Sequence, residues 1–163
     1  MAHDTRFPFI IAGCVSLVLL VLPASAEFGE RVAESGNWTV RRTLHAITDE
    51  PACVANYKDR FDIQLGENDL FVGLGGRGEV SSVVLRFDDK PAKESRPASE
   101  AEKKLRAINL RGAEFDELMS SKRLRMQIRT AADTTIEEDL DLDGVKEAHG
   151  ELTGSRCRRE VAR

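Results

Sequence analysis

The sequence predicts a mainly β domain with α elements (α+β), built as an antiparallel β-sandwich or curved sheet with short helices. Apolar and polar side chains alternate along several short segments that are separated by turn residues. This period of two is typical of strands with one buried face. Helical signals begin only at Ser99, and a final apolar stripe predicts a C-terminal helix packed on the sheet.

The clearest strand pattern is a hairpin between Lys122 and Gly144. Leu124, Met126 and Ile128 share one face, and Ile136, Leu140 and Leu142 share one face of the next strand. Folding the two strands antiparallel about Asp133 pairs Arg129 with Glu137, Gln127 with Asp139, Arg125 with Asp141, Arg123 with Asp143, Leu124 with Leu142, and Met126 with Leu140. A slip of one residue would turn the apolar face to water, so we expect the apolar face to be fixed.

The earlier part of the chain predicts shorter strands. They cover about 37–47, 52–57, 61–65, 70–74 and 83–87, followed by a charged loop over 88–97. The glycine cluster from Gly73 to Gly78 has the spacing of a dinucleotide-binding loop. That site requires a helix next, but strand-like residues follow, so we interpret the glycines as a turn.

Three helices are predicted in the last third of the chain. Ser99 and Glu102 form a capping box for a short helix that ends near Leu105. A strand at 107–110 and a helix over 112–120 follow. In the final helix Val145, Ala148 and Leu152 share a face. We expect Asp143 to cap it.

The first 26 residues have the anatomy of a secretory signal peptide. A short leader precedes an apolar run, and Ala24-Ser25-Ala26 is a small-residue cleavage site. We therefore divide the chain into a signal peptide (1–26), a flexible lead-in (27–36), one globular domain (37–157) and a tail (158–163). An alternative is lipidation at Cys14, because Ile11-Ala12-Gly13-Cys14 resembles the acceptor box of a bacterial lipoprotein.

The cysteines and the charge fit an exported protein. The chain has 3 cysteines, and removal of the leader leaves Cys53 and Cys157. A disulfide between them is favoured in an oxidising compartment, the alternative being two unpaired buried thiols. The formal net charge is −4, and basic and acidic residues are interspersed. This pattern indicates neither a nucleic-acid partner nor a membrane-surface patch, and we expect no stable membrane span after cleavage.

Two sets of charged residues are candidate sites. Asp139, Asp141 and Asp143 begin like a calcium loop, but the closing glutamate is displaced by one residue, so calcium is a weak candidate. The region containing Arg77, Arg86 and Arg96 is a possible contact for an anion or a partner. We find no pattern that predicts catalytic residues, a metal centre or a cofactor.

The order of several short motifs resembles a known class of exported protein. These motifs are Trp38-Thr39-Val40, Cys53, Arg86-Phe87-Asp88, a helix ending in Leu118, Lys122-Arg123-Leu124, Asp141-Leu142-Asp143-Gly144-Val145, Ala148 and Cys157. The chain resembles the small exported bacterial proteins of the invasion-associated locus B type, and it is similar to the periplasmic accessory proteins of type VI secretion clusters. The resemblance implies a mainly antiparallel β-domain with a C-terminal helix, which acts by binding rather than by chemistry.

The sequence thus favours a non-catalytic periplasmic or secreted domain of the Gram-negative type. We expect it to bind or assist another envelope or secretion-system protein. The alternatives are a periplasmic protein that binds a small ligand or an ion, and an inhibitor of an envelope hydrolase. An enzyme is the least favoured class, since each motif lacks part of the structural context that its chemistry requires.

Overall fold

The computed structural model describes residues 29–44 and 50–157, which form ten strands and three helices. In chain order these are β1 (Glu30–Ser35), β2 (Trp38–Leu44), β3 (Pro51–Tyr57), β4 (Arg60–Leu65), β5 (Asp69–Gly73), β6 (Val80–Phe87), β7 (Arg96–Pro97), α1 (Glu100–Leu105), β8 (Ala107–Arg111), α2 (Ala113–Ser120), β9 (Arg123–Thr130), β10 (Thr135–Asp141) and α3 (Val145–Thr153). The expected signal peptide, Cys14 and the tail lie outside the described residues.

The strands form two antiparallel sheets that enclose one core. The six-stranded sheet has the order β1-β2-β3-β4-β5-β8, and the four-stranded sheet has the order β10-β9-β6-β7. Trp38, Ile63, Leu85 and Leu124 are among the side chains buried in the shared core. The predicted α+β class with a sandwich-like arrangement is confirmed.

The hairpin between β9 and β10 is confirmed, but its predicted register is wrong by two residues. Arg125 lies opposite Asp139 rather than Asp141, and Leu124 lies opposite Leu140 rather than Leu142. The turn explains the difference. The Thr130 N–H donates to the Thr134 carbonyl at 2.9 Å, and Asp133 has φ +59°. This closes a three-residue loop whose last residue is left-handed. A shift of two residues keeps the apolar face inside.

The beginning of the domain also differs from expectation. The segment 27–36 was expected as a flexible lead-in, but Glu30–Ser35 forms the edge strand β1, which pairs with β2. The register shifts between Arg31 and Ala33, and most of the strand is not fully buried. Such an edge strand lacks a strict apolar alternation, so the period-two signal missed it. The expected loop over 88–97 likewise ends in the short strand β7.

Helix α1 begins as predicted, whereas α3 does not. The Ser99 side chain accepts from the Glu102 N–H, and the Glu102 carboxylate accepts from the Ser99 N–H, which completes the capping box. The prediction that Asp143 caps α3 is wrong. Gly144 occupies the cap with φ +78° and no side-chain hydrogen bond. Its backbone lies against Ser35, since a Cβ on Gly144 would be only 2.2 Å from the Ser35 carbonyl oxygen.

A disulfide joins the last helix to the early strands. Cys53 on β3 is bonded to Cys157, which lies 104 residues further along the chain, just after α3. Val145, Ala148 and Leu152 are buried as predicted. The disulfide therefore fixes the end of α3 beside the six-stranded sheet. Within the described part of the chain, no helix combines the length and apolar character needed to cross a membrane.

Candidate binding surface

Arg96, predicted as an anion or partner contact, is instead bound within the fold. Its guanidinium donates two hydrogen bonds of 3.0 Å to Glu102 and bonds of 2.7 and 3.1 Å to Glu114. Arg96 belongs to the four-stranded sheet, whereas Glu102 and Glu114 belong to α1 and α2. Two carboxylates therefore occupy the arginine fork, and its role is to connect the sheet to both helices.

The Glu102 carboxylate is buried, with only 4% of the residue exposed. Burial by itself would raise the pKa of Glu102, but hydrogen bonds from Arg96, Asn109 and Ser99 lower the pKa to about 2. Hydrogen bonds to Glu102 and Glu114 likewise raise the pKa of Arg96 against the opposing effect of burial. Both partners are thus held in their charged forms.

Arg77 is also paired within the chain, although its side chain is 44% exposed. It donates to the Leu74 carbonyl at 2.8 Å and to Glu138 at 3.1 Å. Glu138 points inward from β10 and accepts further bonds of 2.9 and 3.2 Å from Arg60. Because Arg60 begins β4, this cluster links the two sheets.

The inward position of Glu138 has an electrostatic cause and a structural consequence. Burial favours the neutral acid, but hydrogen bonds from Arg60 and Arg77 outweigh it and lower the pKa of Glu138. An inward-pointing charge on an edge strand discourages pairing with a further strand. We therefore assign Glu138 to the architecture of the β10 edge.

Arg86 is the predicted arginine for which the described residues supply no ion pair, and its side chain is partly exposed. It is on the outer face of the four-stranded sheet, directly opposite Arg125 on β9. Arg125 in turn lies opposite Asp139 on β10. The next row along the sheet contains Val84, Gln127 and Glu137.

These two rows line a groove of about 350 Å³, which we call the sheet-face groove. The outer-face lining residues, with one from the loop after β6, are Val84, Arg86, Ala92, Arg125, Gln127, Glu137 and Asp139. Met126 and Glu138, which belong to the buried face of β9 and β10, also border the groove. Val84 and Ala92 are small apolar residues, whereas both walls carry charge. The sheet-face groove can therefore accept an extended group that combines polar ends with a short apolar part.

The loop over 88–95 that borders the sheet-face groove is fixed in place. The Lys93 N–H donates to the Leu85 carbonyl at 2.8 Å. Lys90 and Lys93 both form ion pairs with Glu117 on α2. Asp88, at the start of the loop, accepts from the N–H groups of Lys122 and Arg123. These contacts hold one border of the sheet-face groove before any partner binds.

The three aspartates of the weak calcium candidate do not converge. Asp139 and Asp141 lie on the exposed face of β10, and Asp139 forms a bidentate pair with Arg123. Asp143 follows the strand, and its N–H donates to Asp141 Oδ1 at 3.1 Å. Among residues 29–44 and 50–157, no group of three or more His, Cys, Asp or Glu residues is placed to hold a metal ion.

Sequence reasoning missed the roles of Glu102, Glu138 and Arg125. Glu102 was recognised only as a cap, because the chain does not reveal that Arg96 lies beside it. Glu138 gave a signal that was overlooked, since it is an acid in the apolar row of Ile136 and Leu140. Arg125 was assigned to a hairpin pair, and only the observed register places it beside Arg86.

Comparison of the chain with protein-family models, with curated proteins and with solved structures finds no match.

Proposed function

We propose that this chain is a non-catalytic binding domain of the periplasm or the secreted fraction, which contacts another envelope or secretion-system protein through the sheet-face groove. The observation that carries the proposal is the outer face of the four-stranded sheet. There Arg86, Arg125 and Glu137 line a groove whose border is held by the anchored loop. A fixed concave surface with charges of both signs suits a polypeptide partner of complementary charge.

The state of the buried carboxylates supports contact rather than chemistry. A general acid or base works best when its pKa lies near the operating pH. Glu102 and Glu138 have lowered pKa values because arginine side chains hydrogen-bond to both. They therefore remain charged near neutral pH and serve as fixed partners of Arg96, Arg60 and Arg77.

The disulfide supports the exported part of the proposal. Cys53 and Cys157 form a disulfide. Structural disulfides persist in oxidising compartments such as the periplasm. The leader with Ala24-Ser25-Ala26 points in the same direction. Together they favour a protein that folds after export, where envelope proteins are its available partners.

Site-specific photocrosslinking in the native periplasm tests the proposed surface. A photocrosslinking amino acid at Gln127 lies in the sheet-face groove, and one at the exposed Glu100 on α1 is the matched control. We expect a discrete adduct from position 127 and none from position 100. The adduct must also disappear when Val84→Arg fills the sheet-face groove without lowering Tm. An adduct that persists in Val84→Arg, or adducts that form equally at positions 127 and 100, would contradict the proposal.

A small-ligand or ion-binding protein remains the second candidate, favoured by the size of the sheet-face groove. Its volume of about 350 Å³ is within the range of small-molecule sites. Such sites are mainly apolar with a few polar groups. Here Arg86, Arg125, Glu137 and Asp139 place charges of both signs along the groove, which suits a polypeptide with side chains of both signs better. The second candidate would be favoured if a small molecule from periplasmic extract raises the Tm of the wild type but not that of Val84→Arg.

A further inference from the structure

Two arginines lie side by side in the sheet-face groove. Arg86 on β6 and Arg125 on β9 are directly opposite each other on the outer face. Like charges in directly opposed positions destabilise a sheet. An anion between the two guanidinium groups would relieve this repulsion, and the partners of each group show how much compensation the fold itself supplies.

Arg125 is only partly compensated by its own chain. One of its terminal nitrogens donates to the Asp88 carbonyl, but its buried Nε has no hydrogen-bond partner among the described residues. Arg125 also forms a long ion pair of 3.7 Å with Asp89, whose side chain is fully exposed. The cross-strand carboxylate of Asp139 is turned toward Arg123 instead, with which it forms two hydrogen bonds.

Arg86 is compensated even less. Its Nε donates to the Lys90 carbonyl at 2.9 Å. Within the described part of the chain, no ion pair involves Arg86. The carbonyl contact therefore orients the side chain and leaves both terminal nitrogens available. Both guanidinium groups line one groove, and together their remaining terminal N–H groups are suited to a carboxylate, which accepts hydrogen bonds from such donors.

We propose that Arg86 and Arg125 together bind a side-chain carboxylate from an extended segment of the protein partner. The apolar surfaces of Val84 and Ala92 are placed to contact the methylene groups of that side chain. On the other wall, Glu137 lies one row further along the sheet, and among the described residues its carboxylate accepts one hydrogen bond, from Gln127 at 3.5 Å. The site thus favours an acidic residue followed at alternate spacing by a basic one. This inference rests on the proposed function.

Peptide titration of the disulfide-bonded mature protein tests the inference. The probe is the acetylated, amidated peptide Ala-Glu-Ala-Lys-Ala, and the readout is the NMR signal of the Arg125 Nε–H group. We expect a chemical-shift change that saturates as peptide is added. The affinity derived from it should be about tenfold weaker for the peptide that carries Gln in place of Glu. Equal affinity for the two peptides would overturn the proposal. So would equal affinity for acetate, which lacks the segment that Val84 and Ala92 would contact.

Matched variants separate the arginine pair from general surface charge. Arg86→Gln should weaken the peptide by about tenfold, and Arg86→Lys, which retains charge without the fork, should weaken it less. Arg129→Gln is the control, because Arg129 lies on the same face of β9 but pairs with Asp133. Unchanged affinity in Arg86→Gln, or the same loss in Arg129→Gln, would overturn the proposal.

The crosslinking experiment distinguishes the two levels of failure. If the adduct from position 127 persists unchanged in Arg86→Gln, the carboxylate inference is wrong and the binding function stands. If the wild-type protein gives no adduct specific to that position, the proposed function is wrong. The peptide titration then still decides whether the arginine pair binds a carboxylate.

Discussion

Arg96 and Glu102 form a bidentate ion pair that connects the two sheets through a helix. Both hydrogen bonds are 3.0 Å long. The same carboxylate accepts from the N–H of Ser99, before α1, and from the N–H of Asn109 on β8. Because Arg96 lies on β7, one carboxylate holds together parts of both sheets and the start of α1.

Removal of Arg96 should destabilise the domain severely. Arg96→Gln leaves Glu102 buried without its cationic partner, and breaking a buried pair in this way costs about 3–5 kcal/mol. We expect urea unfolding to show a loss of this order in the free energy of unfolding. The control is Arg111→Gln, since Arg111 is largely exposed in its pair with Asp69 and exposed pairs contribute little. Equal losses in the two variants would contradict a structural role for Arg96.

The lowered pKa of Glu102 predicts acid sensitivity. The pKa falls from its usual 4.5 to about 2 in the folded protein. Unfolding therefore takes up a proton, and the stabilisation is complete above the unfolded pKa and lost as pH falls from about 5 toward 2. The shift corresponds to about 3 kcal/mol. Glu102→Gln should be less stable than the wild type at pH 7, and its Tm should fall less between pH 6 and 3. Thermal unfolding of both proteins at pH values spaced by about one unit measures the difference.

The exposed Glu100 on the same helix provides the control for this pH dependence. Glu100→Gln removes a carboxylate whose ion pair, within the described part of the chain, is with the surface residue Lys103. Its Tm should follow the wild-type pH profile. If the Tm of Glu102→Gln also follows the wild-type pH profile, the lowered pKa of Glu102 is not the cause of the acid sensitivity.

The parts of the fold that follow from local patterns were predictable. Alternation located β9 and β10, and the serine and glutamate of the capping box located α1, because both signals depend on residues close in the chain. The register of the hairpin required the backbone of Asp133, whose left-handed conformation the sequence does not specify. Arg77 and Arg96 were noticed as charges, but their carboxylate partners became visible only once the chain was folded. The candidate site was therefore predicted only at Arg86.

The observed register of the hairpin makes a prediction that the alternative register does not. Arg123 pairs with Asp139 across the strands, so charge reversal in Arg123→Glu should be partly rescued by Asp139→Arg. The pair is exposed, and we expect a small coupling. A double-mutant cycle in urea measures it. The matched cycle with Arg125→Glu and Asp141→Arg should show no coupling. Coupling in the second cycle alone would favour the register predicted from the sequence, in which Arg125 lies opposite Asp141.

The export hypothesis predicts the N-terminus of the mature protein. Cleavage after Ala26 gives a chain that begins at Glu27. Intact-mass analysis of protein purified from the periplasm should show this chain with two fewer hydrogens, because Cys53 and Cys157 are bonded. A chain that begins at an acylated Cys14 would contradict the prediction and would place the protein on a membrane.

Loss of the disulfide should release the end of α3. The bond closes a loop of 104 residues, for which the chain-entropy model gives an upper figure of about 4–5 kcal/mol. A domain is typically stable by about 5–15 kcal/mol, so the loss is large. We expect Cys53→Ser and Cys157→Ser each to lower Tm by on the order of 10 °C. Thermal unfolding of both variants, compared with oxidised and reduced wild type, measures the effect.

Limited trypsin digestion locates where this destabilisation acts. Arg156 donates to the Val32 carbonyl of β1 at 2.8 Å and also pairs with Glu151. With the disulfide intact, these contacts and Cys157 hold the cleavage site against the edge of the six-stranded sheet. Without the disulfide, cleavage after Arg156 should become the first event, while sites in β9 stay protected. If peptide mapping of periplasmic protein finds both thiols free, or if reduction leaves the cleavage order unchanged, the apolar face of Val145, Ala148 and Leu152 holds α3 by itself.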